Sequence, residues 1–278
     1  MDSITEIDYR QPGFGDTYDE LPLWSAPFGL LLLEHAPLRP GITVLDVGAG
    51  TGFLAMELAQ RCGAASRVIA VDPWASALDR LRAKLRAHRV TNVEVREGPA
   101  EALEIEDRSV DLVVSNVGIN NFEDPAAVLA RCARAARDGA RILVTTNPVG
   151  HMAEFYRVYR DTLASVGLAD RVEALESQEA HRGTEESVRE LLANAGFAPR
   201  AVHRDSFRMR FADGSSLLRH YLVRVGFLGG WTSVLPADRR DEVLARLESD
   251  LNAHAAEHGE LALTIPMLCI DGAKGAPA

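Results

Sequence analysis

The chain has 278 residues, 47% of them hydrophobic, which is enough for a large folded core and argues against disorder. With 30 Lys and Arg against 40 Asp and Glu the net charge is −10, which disfavours nucleic acid and anionic membrane as partners, since both need a positive face. The 3 cysteines, Cys62, Cys132 and Cys269, lie far apart without metal-ligand spacing, so a reduced, cytoplasmic protein without a disulfide framework is expected.

The first residues are acidic (Asp2, Glu6, Asp8), so no signal peptide is expected to begin there. Residues 1–20 lack periodicity and carry turn formers at Pro12, Gly13 and Gly15, which predicts an arm. LWSAPFGLLLLEHAPL then reads as a helix ending near Pro37, and its apolar run, Gly29 to Leu33, is too short to span a bilayer. Arm and helix, 1–40, are expected to precede a domain of 41–278. GITVLDVG is a short apolar run with β-branched residues, hence a buried strand. A helix is expected from Gly52 to Cys62, burying Phe53, Met56, Leu58 and Ala59. RVIAVDP gives a second strand. The helix after it, from about Trp74 to His88, leads Arg80, Arg82, Lys84, Arg86 and Arg89 onto what reads as a solvated face. NVEVREG, DLVVSNVG and ARILVTTN are the third to fifth strands, with helices at about 125–137 and 150–166. Strands alternating with helices in this way imply βαβ units and a parallel, doubly wound α/β sheet.

Beyond this point the rhythm changes. TEESVRELLANAGF reads as a helix between an N-cap at Thr184 and a C-cap at Gly196, followed by a strand near 200–210. Helical stretches at about 215–227 and 236–258 precede a closing strand, ELALTIPMLCID. A helical cap at about 213–258 is therefore expected, inserted before the last strand.

The most informative stretch is VLDVGAGTGFLAMELA, residues 44–59, a strand that ends in a glycine turn and opens a helix. Gly48, Gly50 and Gly52 remove side chains so that a ligand can lie against the backbone. A dinucleotide loop reads G-x-G-x-x-G and would place its last glycine at Phe53. Here the spacing is G-x-G-x-G, with Asp46 before it. A carboxylate aimed into the loop repels a pyrophosphate and suits a cationic ligand, such as the amino group and sulfonium of S-adenosylmethionine (SAM). Asp72 ends the second strand, where an acid can hold both ribose hydroxyls.

With these residues the chain resembles a class I SAM-dependent methyltransferase of the small-molecule type. VLDVGAGTG, VIAVDP, EGPAEAL and DLVVSNVGINNF resemble the family's first four motifs, and LTIPMLCIDG resembles its reversed last strand. The resemblance implies a Rossmann-like, mostly parallel seven-stranded sheet with an antiparallel last strand. It implies Asp46, Gly48, Gly50 and Gly52 around the methionine part of the cofactor and Asp72 on the ribose. It also implies Pro73 and Trp74 beside the adenine, the Ala100 backbone on the adenine edge, and Asn116 with Val117 below the cofactor. Pro99 departs from the pattern: many relatives carry there an Asp that accepts from the adenine amino group. Glu101 is the nearby acid that would compensate, its other reading being a solvated acid at a helix start.

The loops after the fourth and fifth strands, SNVGINNFED and TTNPVGHMAEFY, are where this topology places the acceptor. A hydroxyl acceptor needs its proton removed, and histidine is the usual base. His151 is the candidate, with Glu154 three residues on as a partner that would orient it; packing at a helix start is the other reading. Asn120, Asn121 and Asn147 carry amides suited to orienting a polar substrate. Related enzymes use an N-terminal segment as a lid, which would bring Tyr18 to the cofactor and Trp24 to the acceptor. Packing on the first helix is equally open for Trp24 and Phe28.

No Asn/Asp-Pro-Pro-aromatic or Pro-Cys motif follows the fourth strand, which disfavours amino methylation of bases or glutamine and cytosine C5 chemistry. Ser115-Asn116 and Thr146-Asn147 stand where metal-dependent catechol enzymes carry aspartates, so no catalytic metal is expected. The expected function is methyl transfer to a small-molecule acceptor, at O, N or C, by a monomer or homodimer. The competing readings are a SAM-binding cyclase, isomerase or hydrolase, and a protein-directed methyltransferase.

Overall fold

Strands buried on both faces form the centre of the molecule: Val44, Leu45 and Val47 are at most 1% exposed, and so are Leu112, Val113 and Val114. The near-continuous apolar runs read in the sequence suit this environment. The computed structural model describes residues 4–8, 11, 13–18, 24–102, 104–180 and 182–275. Parts of the expected arm (1–3, 9–10, 12 and 19–23) and Leu103 of the third motif lie outside the described residues.

Helices α1 (Phe14–Tyr18) and α2 (Ser25–His35) precede β1 (Thr43–Val47), α3 (Phe53–Arg61) and β2 (Arg67–Asp72). Then come α4 (Ala75–His88), β3 (Val93–Glu97), β4 (Val110–Asn116), α5 (Pro125–Ala135) and β5 (Ala136–Thr146). The second half holds α6 (Ala153–Ser165), α7 (Val172–Ala180), α8 (Glu185–Asn194) and β6 (Phe197–Phe211). It ends with α9 (Gly214–Arg219), α10 (Tyr221–Gly226), α11 (Leu228–Ser233), α12 (Arg240–His258) and β7 (Leu261–Lys274).

The chain divides into two units. The sheet unit comprises Gln11–Asn147, Thr184–Asp205 and Met267–Ala278; the helical unit comprises Met1–Arg10, Pro148–Gly183 and Ser206–Pro266. This differs from an arm of 1–40 followed by one domain with a cap at about 213–258. The reason is packing: α6 lies on α12 and α7 on α11, so 148–183 joins the helices that were expected to form the cap alone.

In the sheet unit seven strands run in the order β3-β2-β1-β4-β5-β7-β6. The pairs β1–β2, β1–β4, β2–β3 and β4–β5 are parallel, and β7 is antiparallel to β5, with Val144 opposite Ile270. The fold expected from the motifs is therefore the one observed. One face packs Leu45, Val47, Val113, Val144 and Ile270 against Val128, Leu129 and Cys132 of α5 and Val188 and Leu192 of α8. All three cysteines are buried free thiols. The helix expected to bury Phe53 instead buries Leu54 and Ala55 and leaves Phe53 half-buried. Within the expected arm, Phe14–Tyr18 form the short α1 although the sequence there lacks a period. Phe14 and Tyr18 pack on Trp74 at ring distances of 5.4 and 5.2 Å, and tertiary contact supplies what periodicity lacks.

In the helical unit the core is aromatic. Phe155 stacks on Trp231 at 4.0 Å, the Tyr159 hydroxyl donates to the Trp231 carbonyl at 2.7 Å, and Trp231 Nε1 donates to the Tyr156 hydroxyl at 3.2 Å. The helix expected at 215–227 is broken into α9 and α10 at His220, whose backbone is extended (φ −64°, ψ 132°). Val172–Ala180, which lack a clear period, form α7 with only Leu175 of that helix buried. Among the described residues no helix is long and apolar enough to cross a membrane.

Candidate active site

The parallel strands β1, β2 and β4 bring the glycine turn, Asp72 and Asn116 to one end of the sheet, the end where ligands of open α/β sheets bind. Gly48, Gly50 and Gly52 all have positive φ, at 78°, 54° and 85°, so the turn requires glycine for its backbone alone. Two of them add something more. A Cβ on Gly52 would lie 2.2 Å from a Leu81 methyl, which locks the start of α3 against α4. A Cβ on Gly50 would meet nothing within 4 Å, so this glycine opens the turn toward free space. Across the turn, the residue after β4, Val117, has φ 61°. A β-branched side chain is strained in that region, and such strain is characteristic of binding sites. The Val117 amide holds the strain by donating to the carbonyl (3.2 Å) and hydroxyl (3.0 Å) of Thr145.

Asp46 is 1% exposed, and neither carboxylate oxygen has a hydrogen-bond partner among the described residues. Burial, and then the neighbouring Asp72, push its pKa up to about 7; the Ala55 amide opposes this without reaching hydrogen-bond geometry. Asp72 is also buried, and desolvation raises its pKa against the bonds it accepts from Gly50 N and Trp74 N, both 2.8 Å. These two bonds tie the glycine turn to the end of β2. Tyr18 is part of the same cluster: burial, and then Asp72, raise its phenol. Ala100 is buried at the start of a short 3₁₀ turn, and Pro73 is exposed.

Other expected residues are bonded within the sheet unit. The Asn116 amide donates to the Ser25 carbonyl (3.0 Å) and its oxygen accepts from the Thr145 hydroxyl (2.8 Å), so it joins α2 to β4 and β5. Glu101 accepts from the amides of Glu123 and Asp124 at 3.0 and 3.3 Å, both through Oε1, and so anchors the loop before α5. Asn120 donates to Asn147 Oδ1 (2.8 Å) and accepts from the Thr146 hydroxyl (2.6 Å). Asn147 is fully buried and its Nδ2 has no partner among the described residues, whereas Asn121 is exposed. Trp24 packs on Phe28 at 5.6 Å.

The helical unit contains His151 and Glu154. His151 is 1% exposed, and neither ring nitrogen has a partner among the described residues. Burial, and then Arg182, push its pKa down to about 4; the Pro148 carbonyl opposes this without reaching hydrogen-bond geometry at the ring. The imidazole is therefore neutral at pH 7. Its ring meets Tyr156 edge-on at 5.6 Å and Phe227 at 6.5 Å. Glu154 does not orient it. That carboxylate accepts from the hydroxyl (2.6 Å) and amide (3.0 Å) of Thr264, because residue 154 lies in the first turn of α6 alongside the start of β7. Sequence reasoning missed Thr145 and Thr146, whose hydroxyls hold Asn116, Val117 and Asn120 in place, and Tyr156, whose ring packs on His151. Their signal was limited to polar residues closing an apolar strand or recurring on a helix.

A groove of about 460 Å³ in the sheet unit, lined by Asp107, Arg108, Arg134, Asp138 and Lys274, lies at the starts of β4 and β5. That is the wrong end of a parallel sheet for the cofactor.

Comparison with known proteins agrees with this geometry. The model of the methyltransferase domain family matches residues 44–139, the stretch that carries the glycine turn, Asp72 and Val117. Nocamycin O-methyltransferase from Saccharothrix syringae is 31% identical over 258 residues, covering 88% of this chain and 90% of that one. The chain belongs to the class I SAM-dependent methyltransferases. A second methyltransferase, the ubiquinone/menaquinone biosynthesis C-methyltransferase UbiE from Hahella chejuensis, is 32% identical over 163 residues, covering 56% of this chain and 64% of that one. Among solved structures, the YcgJ protein from Bacillus subtilis superposes with a TM-score of 0.61 at 18% identity, covering 91% of this chain and 100% of that one. SAM is this methyltransferase's cofactor. The residues present fit it. The unpartnered Asp46 carboxylate suits an ammonium group, the open Gly50 admits a ligand against the backbone, and Asp72 retains lone pairs for hydroxyls.

Proposed function

We propose that this methyltransferase methylates an oxygen of a small-molecule acceptor, with His151 as the base that takes the hydroxyl proton. The observation that carries the reading is the similarity to an O-methyltransferase over 88% of the chain, which runs through the helical unit as well as the sheet. The buried neutral imidazole, with both nitrogens unpartnered, is the chain's own feature that fits the role.

SAM, when bound, supplies a methyl group already activated on a positively charged sulfur, so the chain's residues mainly position and deprotonate. Asp46 holds the amino group of the cofactor and Asp72 its ribose, with Gly48, Gly50 and Gly52 admitting the ligand and Pro73, Trp74, Tyr18, Ala100 and Val117 around it. Asn120 and Asn147 present an amide pair to the acceptor. His151 would take the proton of the acceptor hydroxyl, leaving the oxygen to accept the methyl group that SAM would supply. Positioning and proton removal are both large terms in such a displacement. The free, buried thiols and the absence of a positive surplus suit a cytoplasmic enzyme with small-molecule partners, as a monomer or homodimer.

The test is incubation with methyl-labelled SAM and a panel of phenols, enols, amines and activated carbon acids. Label in an ether product is expected. Label confined to amine or carbon products, or an acceptor converted without label, overturns the reading.

A further inference from the structure

Several arginines of the helical unit are paired with carboxylates: Arg160 with Glu179 (3.2 Å), Arg219 with Glu248 (2.6 Å) and Arg239 with Glu242 (2.8 Å), while Arg224 donates to the Thr5 carbonyl (2.8 Å) and hydroxyl (3.1 Å). Arg182 is different. It is half-buried, and among the described residues no carboxylate helps to hold its proton; burial lowers its pKa. Its guanidinium carbon lies 6.0 Å from the centre of the Phe227 ring. The His151 ring stands 6.5 Å from the same ring and 5.6 Å from that of Tyr156. Tyr156 is fixed in turn by Gln178, which accepts from its hydroxyl at 3.1 Å, and by Trp231 Nε1, which donates to it at 3.2 Å. A guanidinium, an unpartnered imidazole and two aromatic rings are thus gathered within the helical unit.

A guanidinium partly withdrawn from water without an anion is disfavoured, and its planar array of donors matches the two oxygens of a carboxylate. A neutral ligand there would leave the charge uncompensated and a cation would be repelled. The aromatic rings favour a flat apolar body attached to that anion. We infer that the helical unit recognises an acceptor bearing an acidic oxygen group, a carboxylate or similarly delocalised oxyanion, by pairing it with Arg182 and packing its apolar part on Phe227 and Tyr156. This rests on the small-molecule reading above and adds the class of acceptor. Arg182 is a specificity residue in it, and His151 remains the proton acceptor for a separate hydroxyl.

The probes are 2-naphthoate and its neutral analogue 2-naphthamide, titrated calorimetrically into the full-length protein saturated with S-adenosylhomocysteine. The parent is expected to bind naphthoate about ten- to a hundredfold more tightly than naphthamide. Arg182→Gln should abolish the preference and Arg182→Lys retain part of it, with affinity for S-adenosylhomocysteine unchanged in both. The melting temperature of ligand-free Arg182→Gln should equal or exceed the parent's, because an uncompensated charge is removed; a merely structural arginine would lower it. Equal affinity for the two probes in the parent, no binding of naphthoate, or a preference that survives in Arg182→Gln overturns the inference. Failure to bind S-adenosylhomocysteine would instead count against the cofactor assignment, so the two failures are distinguishable.

Discussion

The end of the sheet and the helical unit both bury polar groups, but they satisfy them differently. At the sheet, Asp72, Asn116, Ser115 and Thr145 each have partners in backbone or neighbouring strands, and among the described residues Asp46 is the buried carboxylate without one. In the helical unit the hydroxyls of Tyr156, Tyr159 and Thr162 are paired, whereas His151 is unpartnered. Native structures rarely leave buried polar groups unmatched, so an exception points to a ligand. The sheet offers one anionic exception and the helical unit a basic one. That difference implies that cofactor affinity and turnover respond to separate residues, and four experiments test it.

The largest expected effect is on turnover. His151→Ala should lower the single-turnover rate about 10²–10⁴-fold, with affinity for S-adenosylhomocysteine unchanged by calorimetry. At saturating cofactor, the parent's kcat/KM should stay level as pH falls through the ordinary histidine pKa of about 6.5, since that of His151 lies at about 4. A step at the ordinary value would place the imidazole in a wetter setting. The stability sign follows: a lowered histidine pKa makes a contribution that is complete above the unfolded value and is lost as pH falls toward about 4. A loss of cofactor affinity in His151→Ala would erase the division between the two regions.

The next effect is at Asp72. Asp72→Ala should weaken S-adenosylhomocysteine binding by about 10–100-fold, the range for charge-assisted hydrogen bonds. It should also lower the melting temperature, because the Gly50 and Trp74 amides lose their acceptor. Unchanged affinity in a folded variant would remove the ribose role.

The sheet unit was legible because its backbone dictates residue types. A turn with φ of 78°, 54° and 85° at alternate positions admits little but glycine, so Gly48, Gly50 and Gly52 are visible as letters. Buried parallel strands likewise dictate apolar runs. What each polar side chain bonds was not legible. Asn116 and Glu101 carry no mark in the sequence that says they join elements together. The helical unit was read as smaller than it is because α7 and the broken α9 and α10 depend on tertiary packing, not on period. Arg182 precedes a helix in a short loop, where neither spacing nor periodicity singles it out.

The third effect sharpens the contrast between the exceptions. Asp46 sits at about 7, raised above the unfolded value of about 3.9. Its contribution to stability is therefore complete below the unfolded pKa and is lost as pH rises through about 7 in the ligand-free protein. An ammonium ligand reverses this by favouring the ionised form. Affinity for S-adenosylhomocysteine should rise about tenfold from pH 6 to 8 and be accompanied by proton release, read from the buffer dependence of the binding enthalpy. Asp46→Asn should flatten both and melt higher than the parent at pH 8. A parent with neither pH dependence nor proton release would show Asp46 facing no cation.

The smallest effect concerns Glu154, the partner once expected for His151. Burial tends to raise its pKa, but the bonds from the Thr264 hydroxyl and amide outweigh that and hold it below the usual carboxylate range. The depressed pKa means a stabilising contribution present above the unfolded pKa and lost as pH falls through the folded one. Because Glu154 is only half-buried and solvent screens it, that contribution is small, about 0.5–1 kcal/mol. Glu154→Gln should therefore lower the melting temperature slightly at pH 7 and leave the pH dependence of kcat/KM as in the parent. Thr264→Val, which deletes the hydroxyl on the other side, should have a similar effect, and the double variant should cost less than the sum of the two. A pH profile displaced in Glu154→Gln but not in Thr264→Val would mean that Glu154 turns toward His151 during catalysis, and the oriented base read from their spacing would then be restored.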